Sequence, residues 1–149
     1  QCVQNISRVR ADCEKYGMPL MIEPLGMQPV TERGGYMVDG DADKIVTLTR
    51  LAREMGADII KADPTTNAED FHRVVETARC PVLVRGGGKE DLSAVFAKSA
   101  ALMQQGAMGM VYGRNIYQHA NPSAVVRGLM AIIHKNASGE EAYSLYQQG

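Results

Sequence analysis

Cys2, Ile6, Val9 and Cys13 fall at four-three-four spacing, so residues 1–15 carry one apolar helical stripe. Gly17 ends that helix, and Pro19–Glu23 follows as a strand closed by Pro24. Leu25–Gly40 reads as a glycine-rich loop holding Gln28, Glu32, Arg33 and Tyr36. Loops longer than about a dozen residues are usually functional or mobile. Residues 41–55 return to the helical period, with Ile45, Leu48, Leu51, Ala52 and Met55 on one face. Ile59 and Ile60 then sit in a short apolar run between Gly56 and the Asp63–Pro64 turn. A run this short, so bounded, predicts a buried parallel strand, with Lys61 at its C-terminal end. Asn67 caps a helix over 68–78 that buries Phe71, Val74, Val75 and Ala78. Pro81–Arg85 is a further buried strand, closed by Gly86-Gly87-Gly88-Lys89. A helix over 90–105, ended by Gly106, leads into the strand Met108–Tyr112. Asn121 and Pro122 open a helix over 122–135, and Ser138 with Glu141 forms a capping box for a short last one.

Helix and strand alternate throughout, which predicts a parallel sheet with right-handed crossovers. Two architectures accept four such strands. One is a small flavodoxin-like domain; the other is half of a (β/α)8 barrel, which needs roughly 250 residues. Periodicity does not separate them. The chain opens on Gln1 directly into a helical pattern, as a piece of a longer chain would. It carries no internal repeat beyond the βα unit and no low-complexity tract.

The composition, 22% charged and 45% apolar, is that of a soluble globular protein. A net charge of −1 gives no electrostatic case for nucleic acid or membrane as the main partner. No apolar run approaches a membrane span, and the opening residues do not resemble a signal peptide. Cys2, Cys13 and Cys80 are odd in number and form no CxxC pair, so they read as reduced thiols in a cytoplasmic protein. No His/Cys/Asp/Glu set has metal-ligand spacing, and neither a metal nor a cofactor is expected. His72 lies on a polar helical register, His134 suits a helix C-terminus, and His119 reads as a surface residue. The nine methionines read as core filler.

The distinctive polar residues all fall just after strands: Glu23, Lys61 with Asp63, Arg85 with its glycines, and Gly113-Arg114-Asn115. In parallel α/β architectures that edge is where ligands bind. Gly86-Gly87-Gly88 offers free N–H groups ahead of a helix, which suits either an anion or a tight turn. Gly113-Arg114 repeats the arrangement and adds a guanidinium that can grip phosphate in two places. Two such loops on consecutive strands favour phosphate. Lys61 either runs out to solvent from the strand end or serves as a nucleophile. Schiff-base chemistry needs a neutral amine, which desolvation and neighbouring cations favour. Arg85, Lys89 and Arg114 are the cations available. Glu23, two residues past Met21 and on the same face, is a proton carrier or else an ion-pair partner of Lys61 or Arg85.

Three segments taken in order resemble a known family. They are Ala57-Asp58-Ile59-Ile60-Lys61, Pro81–Val84 running into Gly86-Gly87-Gly88-Lys89, and Gly113-Arg114-Asn115-Ile116-Tyr117-Gln118. Together they are similar to the DeoC/FbaB-type class I aldolases, which include archaeal-type fructose-bisphosphate aldolases and the autoinducer-2 phosphate-processing enzyme. Ile132–Asn136 and Glu141-Ala142 are similar too, so the resemblance covers essentially the whole chain. It implies that residues 1–149 are the C-terminal half, strands five to eight, of a single TIM-barrel domain. It implies that Lys61 is the Schiff-base lysine of strand six, and that Gly86, Gly87, Gly88, Gly113 and Arg114 hold the substrate phosphate. The family's strand-one aspartate has no counterpart here.

Three positions depart from the family pattern. Glu23 stands where many members carry a tyrosine acid/base, in a Glu-Pro pair like that of tagatose-bisphosphate-type aldolases. Asp63-Pro64 replaces an aromatic stretch, and Arg85 replaces a small residue; both join the candidate site. The implied activity is a lyase of carbohydrate metabolism: a metal-independent class I aldolase acting on a small sugar phosphate such as fructose or tagatose 1,6-bisphosphate. A phosphosugar isomerase, a thiolase-like barrel enzyme or a non-catalytic phosphosugar-binding half-barrel are the other readings. A half-barrel would leave Leu20, Ile22, Ile59, Val82, Val84, Met108 and Met110 short of cover. Four such side chains left half wet cost on the order of 3–6 kcal/mol. A homo-oligomer, or pairing with a second half, is therefore expected.

Overall fold

The computed structural model describes every residue except Thr31 and Arg33. Arg33, one of the polar residues of the glycine-rich loop, thus lies outside the described residues. Helix α1 (Cys2–Tyr16) precedes strand β1 (Met21–Ile22), a hairpin β2 (Met27–Pro29) and β3 (Tyr36–Val38), and helix α2 (Ala42–Glu54). Then come β4 (Ile59–Ala62), α3 (Phe71–Ala78), β5 (Val82–Arg85), α4 (Leu92–Gln104) and β6 (Gly109–Val111). A single turn of helix, α5 (Arg114–Tyr117), leads to α6 (Pro122–Lys135) and α7 (Gly139–Gln147). Strands β1, β4, β5 and β6 form one sheet in that order, and all three pairings are parallel. This is the arrangement that the alternation of helix and strand predicts.

Strand register decides which side chains meet the helices. Ile22 pairs with Ile60, Ile60 with Val82, Ala62 with Val84, and Val84 with Met110. That face packs on α2, α3 and α4 through Ile45, Ala52, Phe71, Val74, Ala78 and Leu102. The pleat turns Met21, Ile59, Lys61, Leu83, Arg85 and Val111 to the other face. There Met21 is 43% exposed, and Ile59, Leu83 and Val111 are only partly buried. The residues short of cover thus differ from those expected. Ile22, Val82 and Val84 face the helices and are buried at 8%, 1% and 0% exposure, and Leu20 is buried too. Of the expected set, Ile59 and Met110 are half-buried, and Met108, which precedes β6, is exposed. On β1, β5 and β6 a one-residue offset in the assumed strand phase turns the expected residues to the opposite face, whereas Ile59 stands on the bare face as expected.

A second core joins α4, α6 and α7 through Phe96, Val125, Leu129, Ile132 and Ala142. Gly128 admits the Phe96 ring, since a Cβ there would stand 2.6 Å from Phe96 Cζ and 3.0 Å from the Ala142 carbonyl. The caps fall where the sequence puts them. Asn121 and Ser138 accept from the Ala124 and Glu141 N–H groups, and the Ser138–Glu141 capping box is complete.

The structure differs from the sequence reading in several places. Leu25–Gly40 is largely a β-hairpin, Met27 pairing with Val38 and Pro29 with Tyr36. Proline and paired glycines obscure the alternation, and Gly34 and Gly35 turn the chain with φ of 70° and 83°. No residue of α1 is fully buried, and Val9 is half exposed. On α2, Thr49 is buried where Leu51 was expected. Helix α4 begins at Leu92, because Asp91 caps it by accepting from the Ser93 and Ala94 N–H groups.

Candidate active site

Glu23, Lys61, Asp63 and Arg85 project from the ends of neighbouring strands on the face that carries no helix. Lys61 does not run out to solvent: its Nζ donates to Glu23 Oε2 at 2.9 Å, and its side chain is 19% exposed. Arg85 Nε donates to Asp63 Oδ1 and lies 3.9 Å from Glu23 Oε1. The four charges therefore alternate in sign from Lys61 through Glu23 and Arg85 to Asp63. The Asp63 carboxylate is 1% exposed. Burial pushes its carboxyl up from the ordinary value, against the opposing pull of Arg85 and of the Gly26 N–H.

A cleft of about 260 Å³ opens beside Lys61, walled by Glu23, Arg85, Gly86, Gly87, Gly113 and Arg114. Val111 and Tyr117 complete it, two residues that spacing and residue type gave no reason to choose. The glycine loop is shaped by contact and conformation. A Cβ at Gly86 would stand 2.8 Å from Tyr112 Cδ1, and Gly87 takes φ +63°. Gly88 lies farther out and borders an adjoining cavity of about 340 Å³ rather than the Lys61 cleft. Arg114 donates from Nη2 to the Gly87 carbonyl at 2.9 Å and so ties its own loop to the glycine loop. Lys89 is not brought to Lys61; its ammonium donates to the Gln118 carbonyl at 2.9 Å.

Asn115 also joins the two loops, and its role was not legible in the sequence. It is 2% exposed, donates from Nδ2 to the Gly86 carbonyl at 2.7 Å, and accepts the Glu90 N–H on Oδ1 at 2.9 Å. Only the fold shows that this side chain spans both glycine turns. Asn115→Ala orphans two backbone groups and should cost about 1–3 kcal/mol for each that stays dry. Urea unfolding of the variant checks this, with a lowered midpoint at unchanged slope as the expected outcome.

His72 is exposed, with Nδ1 2.6 Å from the Glu69 carbonyl. His119 is half-buried rather than at the surface, and its Nε2 is enclosed without a partner. Among the described residues, no three His, Cys, Asp or Glu side chains cluster as metal ligands would.

Comparison with known proteins gives the family. The family model described as DeoC/LacD family aldolase matches residues 1–119. The chain belongs to the DeoC/LacD aldolase family. An uncharacterised aldolase of Saccharolobus solfataricus is 36% identical over 141 residues, which is 94% of this chain and 50% of that one. A 3-hydroxy-5-phosphonooxypentane-2,4-dione thiolase of Photorhabdus laumondii is 32% identical over 98% of this chain and 47% of its own. Among solved structures, reaction intermediates of a Schiff base-forming fructose-1,6-bisphosphate aldolase match with a TM-score of 0.78 and 27% identity. That match covers 89% of this chain and 52% of the other. The chain thus spans about half the length of the relatives it matches, and its parallel βα units correspond to about half of their TIM barrels. Helices α6 and α7 lie wholly beyond the stretch that the DeoC/LacD model matches. Among the described residues, no helix is long and apolar enough to cross a membrane.

Proposed function

We propose that this chain carries the Schiff-base centre of a class I aldolase that makes or breaks a C–C bond in a ketose phosphate such as fructose or tagatose 1,6-bisphosphate. The carrying observation is the Lys61–Glu23 pair at 2.9 Å, set in one cleft with Gly87 and Arg114. Lys61 Nζ adds to the ketone carbon, and loss of water leaves a cationic imine. Cleavage of the bond between the α and β carbons sends its electron pair through the α carbon to the imine nitrogen, giving an enamine, and the released aldehyde departs as its hydroxyl loses a proton. Protonation of the α carbon and addition of water then free the ketone and Lys61. Glu23 is the proton carrier, because its carboxylate already touches the amine that must be deprotonated before attack. The N–H of Gly87, with Arg114 and the Gly86 and Gly113 turns, holds the phosphate and so fixes the carbonyl over Lys61, while Gly88 lies outside this cleft. The electron sink is the imine itself, so the step needs no metal. Cleavage of a ketose bisphosphate by the intact protein, coupled to oxidation of the triose phosphate, should persist in EDTA. Activity abolished by EDTA and restored by a divalent cation would contradict the imine.

The Photorhabdus laumondii thiolase relative favours one other reading, a phosphosugar acyl-transfer enzyme built on the same cleft. A substitution that keeps the charge of Lys61 but cannot form an imine separates the two.

The bare sheet face supports the second part of the proposal, that residues 1–149 are the C-terminal half of one aldolase-type barrel. Met21, Ile59, Leu83 and Val111 would there be covered by the side chains of the other strands. In sedimentation, the isolated 149-residue chain is expected to self-associate or to pair with a second half. A cooperatively unfolding, monodisperse monomer would contradict the half-barrel.

A further inference from the structure

We propose that Asp63 is a positioning residue: it holds Arg85 off Glu23, so that the Glu23 carboxylate stays on Lys61. This rests on the aldolase reading and adds to it the group that keeps the proton carrier in place.

Strand register brings the four groups together. Lys61 pairs with Leu83 and Ala62 with Val84, so Asp63 and Arg85 stand one step beyond the last registered pair of β4 and β5. Two cations therefore flank one carboxylate. Lys61 Nζ meets Glu23 Oε2 at 2.9 Å, and Arg85 Nε stops 3.9 Å from Glu23 Oε1. A guanidinium grips a carboxylate through two parallel N–H donors, a stronger arrangement than the single contact of an ammonium. An advance of about 1 Å would bring Arg85 within full hydrogen-bond range of Glu23. Released from Asp63, the guanidinium would make that advance and turn Glu23 away from Lys61.

Asp63 is placed to prevent this. Its Oδ1 accepts the Arg85 Nε–H, the only hydrogen bond that this carboxylate makes among the described residues. The Asp63 side chain is 1% exposed against 35% for Glu23, so water screens its hold on the guanidinium less. A second tie runs to the backbone. The Gly26 N–H also draws on the Asp63 carboxyl, and Gly26 lies three residues past Glu23 on the same segment. The Gly26 carbonyl in turn accepts the Asp39 N–H at the base of the hairpin. Asp63 thus acts on Glu23 from two sides, through the cation that competes for it and through the chain that carries it.

The rate of borohydride labelling of the intact protein, with dihydroxyacetone phosphate as the probe, tests the assignment. Asp63→Asn should slow labelling at saturating donor roughly 10–100-fold, the scale of a misplacement of about 1 Å at a reacting group. The half-saturating donor concentration should change less than about threefold, because the phosphate loops are untouched. In a Glu23→Gln background the same substitution should cost less than about threefold, since no carboxylate is left for Arg85 to take. Adding Arg85→Met to Asp63→Asn should speed labelling at least about threefold over Asp63→Asn alone, because the competing cation is gone. That double variant leaves no unpaired charge behind and carries the test if Asp63→Asn does not fold: labelling within about tenfold of wild type is expected, and a larger loss overturns the proposal. A loss below about tenfold in Asp63→Asn, or a loss in Glu23→Gln as large as in wild type, also overturns it, since a merely structural Asp63 would act alike in both backgrounds. Failure of wild type to form any adduct overturns the aldolase reading and this inference with it, a result distinct from a wild type that labels and variants that do not discriminate.

Discussion

Lys61→Arg should lower aldol cleavage by at least about a thousandfold, on the order of 4 kcal/mol of lost transition-state stabilisation. The guanidinium is never neutral in a protein, so it cannot add to a carbonyl. It does keep the charge that Glu23 pairs with at 2.9 Å. The melting temperature should then move little, which separates lost chemistry from lost structure. The expected loss falls in kcat rather than in the concentration of ketose phosphate needed, because Gly87 and Arg114 are untouched. Residual turnover above about a thousandth of wild type would instead favour the enzyme that makes no imine. Steady-state kinetics on the purified variant, with contaminating wild-type activity excluded by active-site titration, decides between them.

Glu23→Gln should lower kcat by about 10²–10⁴, the usual worth of a positioned acid or base. The amide keeps the hydrogen bond to Lys61 Nζ but can no longer take up the proton that the amine and the hydroxyl must lose. Imine formation should slow without being abolished, so prolonged incubation with donor and borohydride still labels the variant. If Glu23 only pairs with Lys61 and Arg85, its replacement should cost less than tenfold. A time course of borohydride labelling distinguishes these results, since a pure ion-pair role leaves the labelling rate close to that of wild type.

Much of this geometry was legible in the chain because it follows from period and order. The alternation of helix and strand gives a parallel sheet, and Lys61, Arg85 and Arg114 each fall at or near the C-terminal end of a strand. That alone brings Lys61, Arg85 and Arg114 to one edge of it. Pleat parity also puts Glu23 on the face of Met21 and so beside Lys61. What the sequence hid depends on the third dimension. Asn115 closes two loops because α5 turns it inward, and no spacing records that turn. Lys89 has the right charge but the wrong direction. Ile59 stands on the bare face as expected, but on β1, β5 and β6 the uncovered apolar residues were missed by a single step of strand phase, and the hairpin from Met27 to Val38 lay under proline and glycine. Asp63 and Arg85 were each legible as polar residues at strand ends, but it takes the register of β4 on β5 to join them into a pair.

The most direct measurement is the site of the covalent adduct. The intact protein is reduced with borohydride in the presence of dihydroxyacetone phosphate, digested, and mapped by mass spectrometry. The account predicts one modified peptide, containing Ile59-Ile60-Lys61-Ala62, with the reduced donor on Lys61 and none in the Lys61→Arg protein. No adduct, or an adduct on any other lysine, would contradict it.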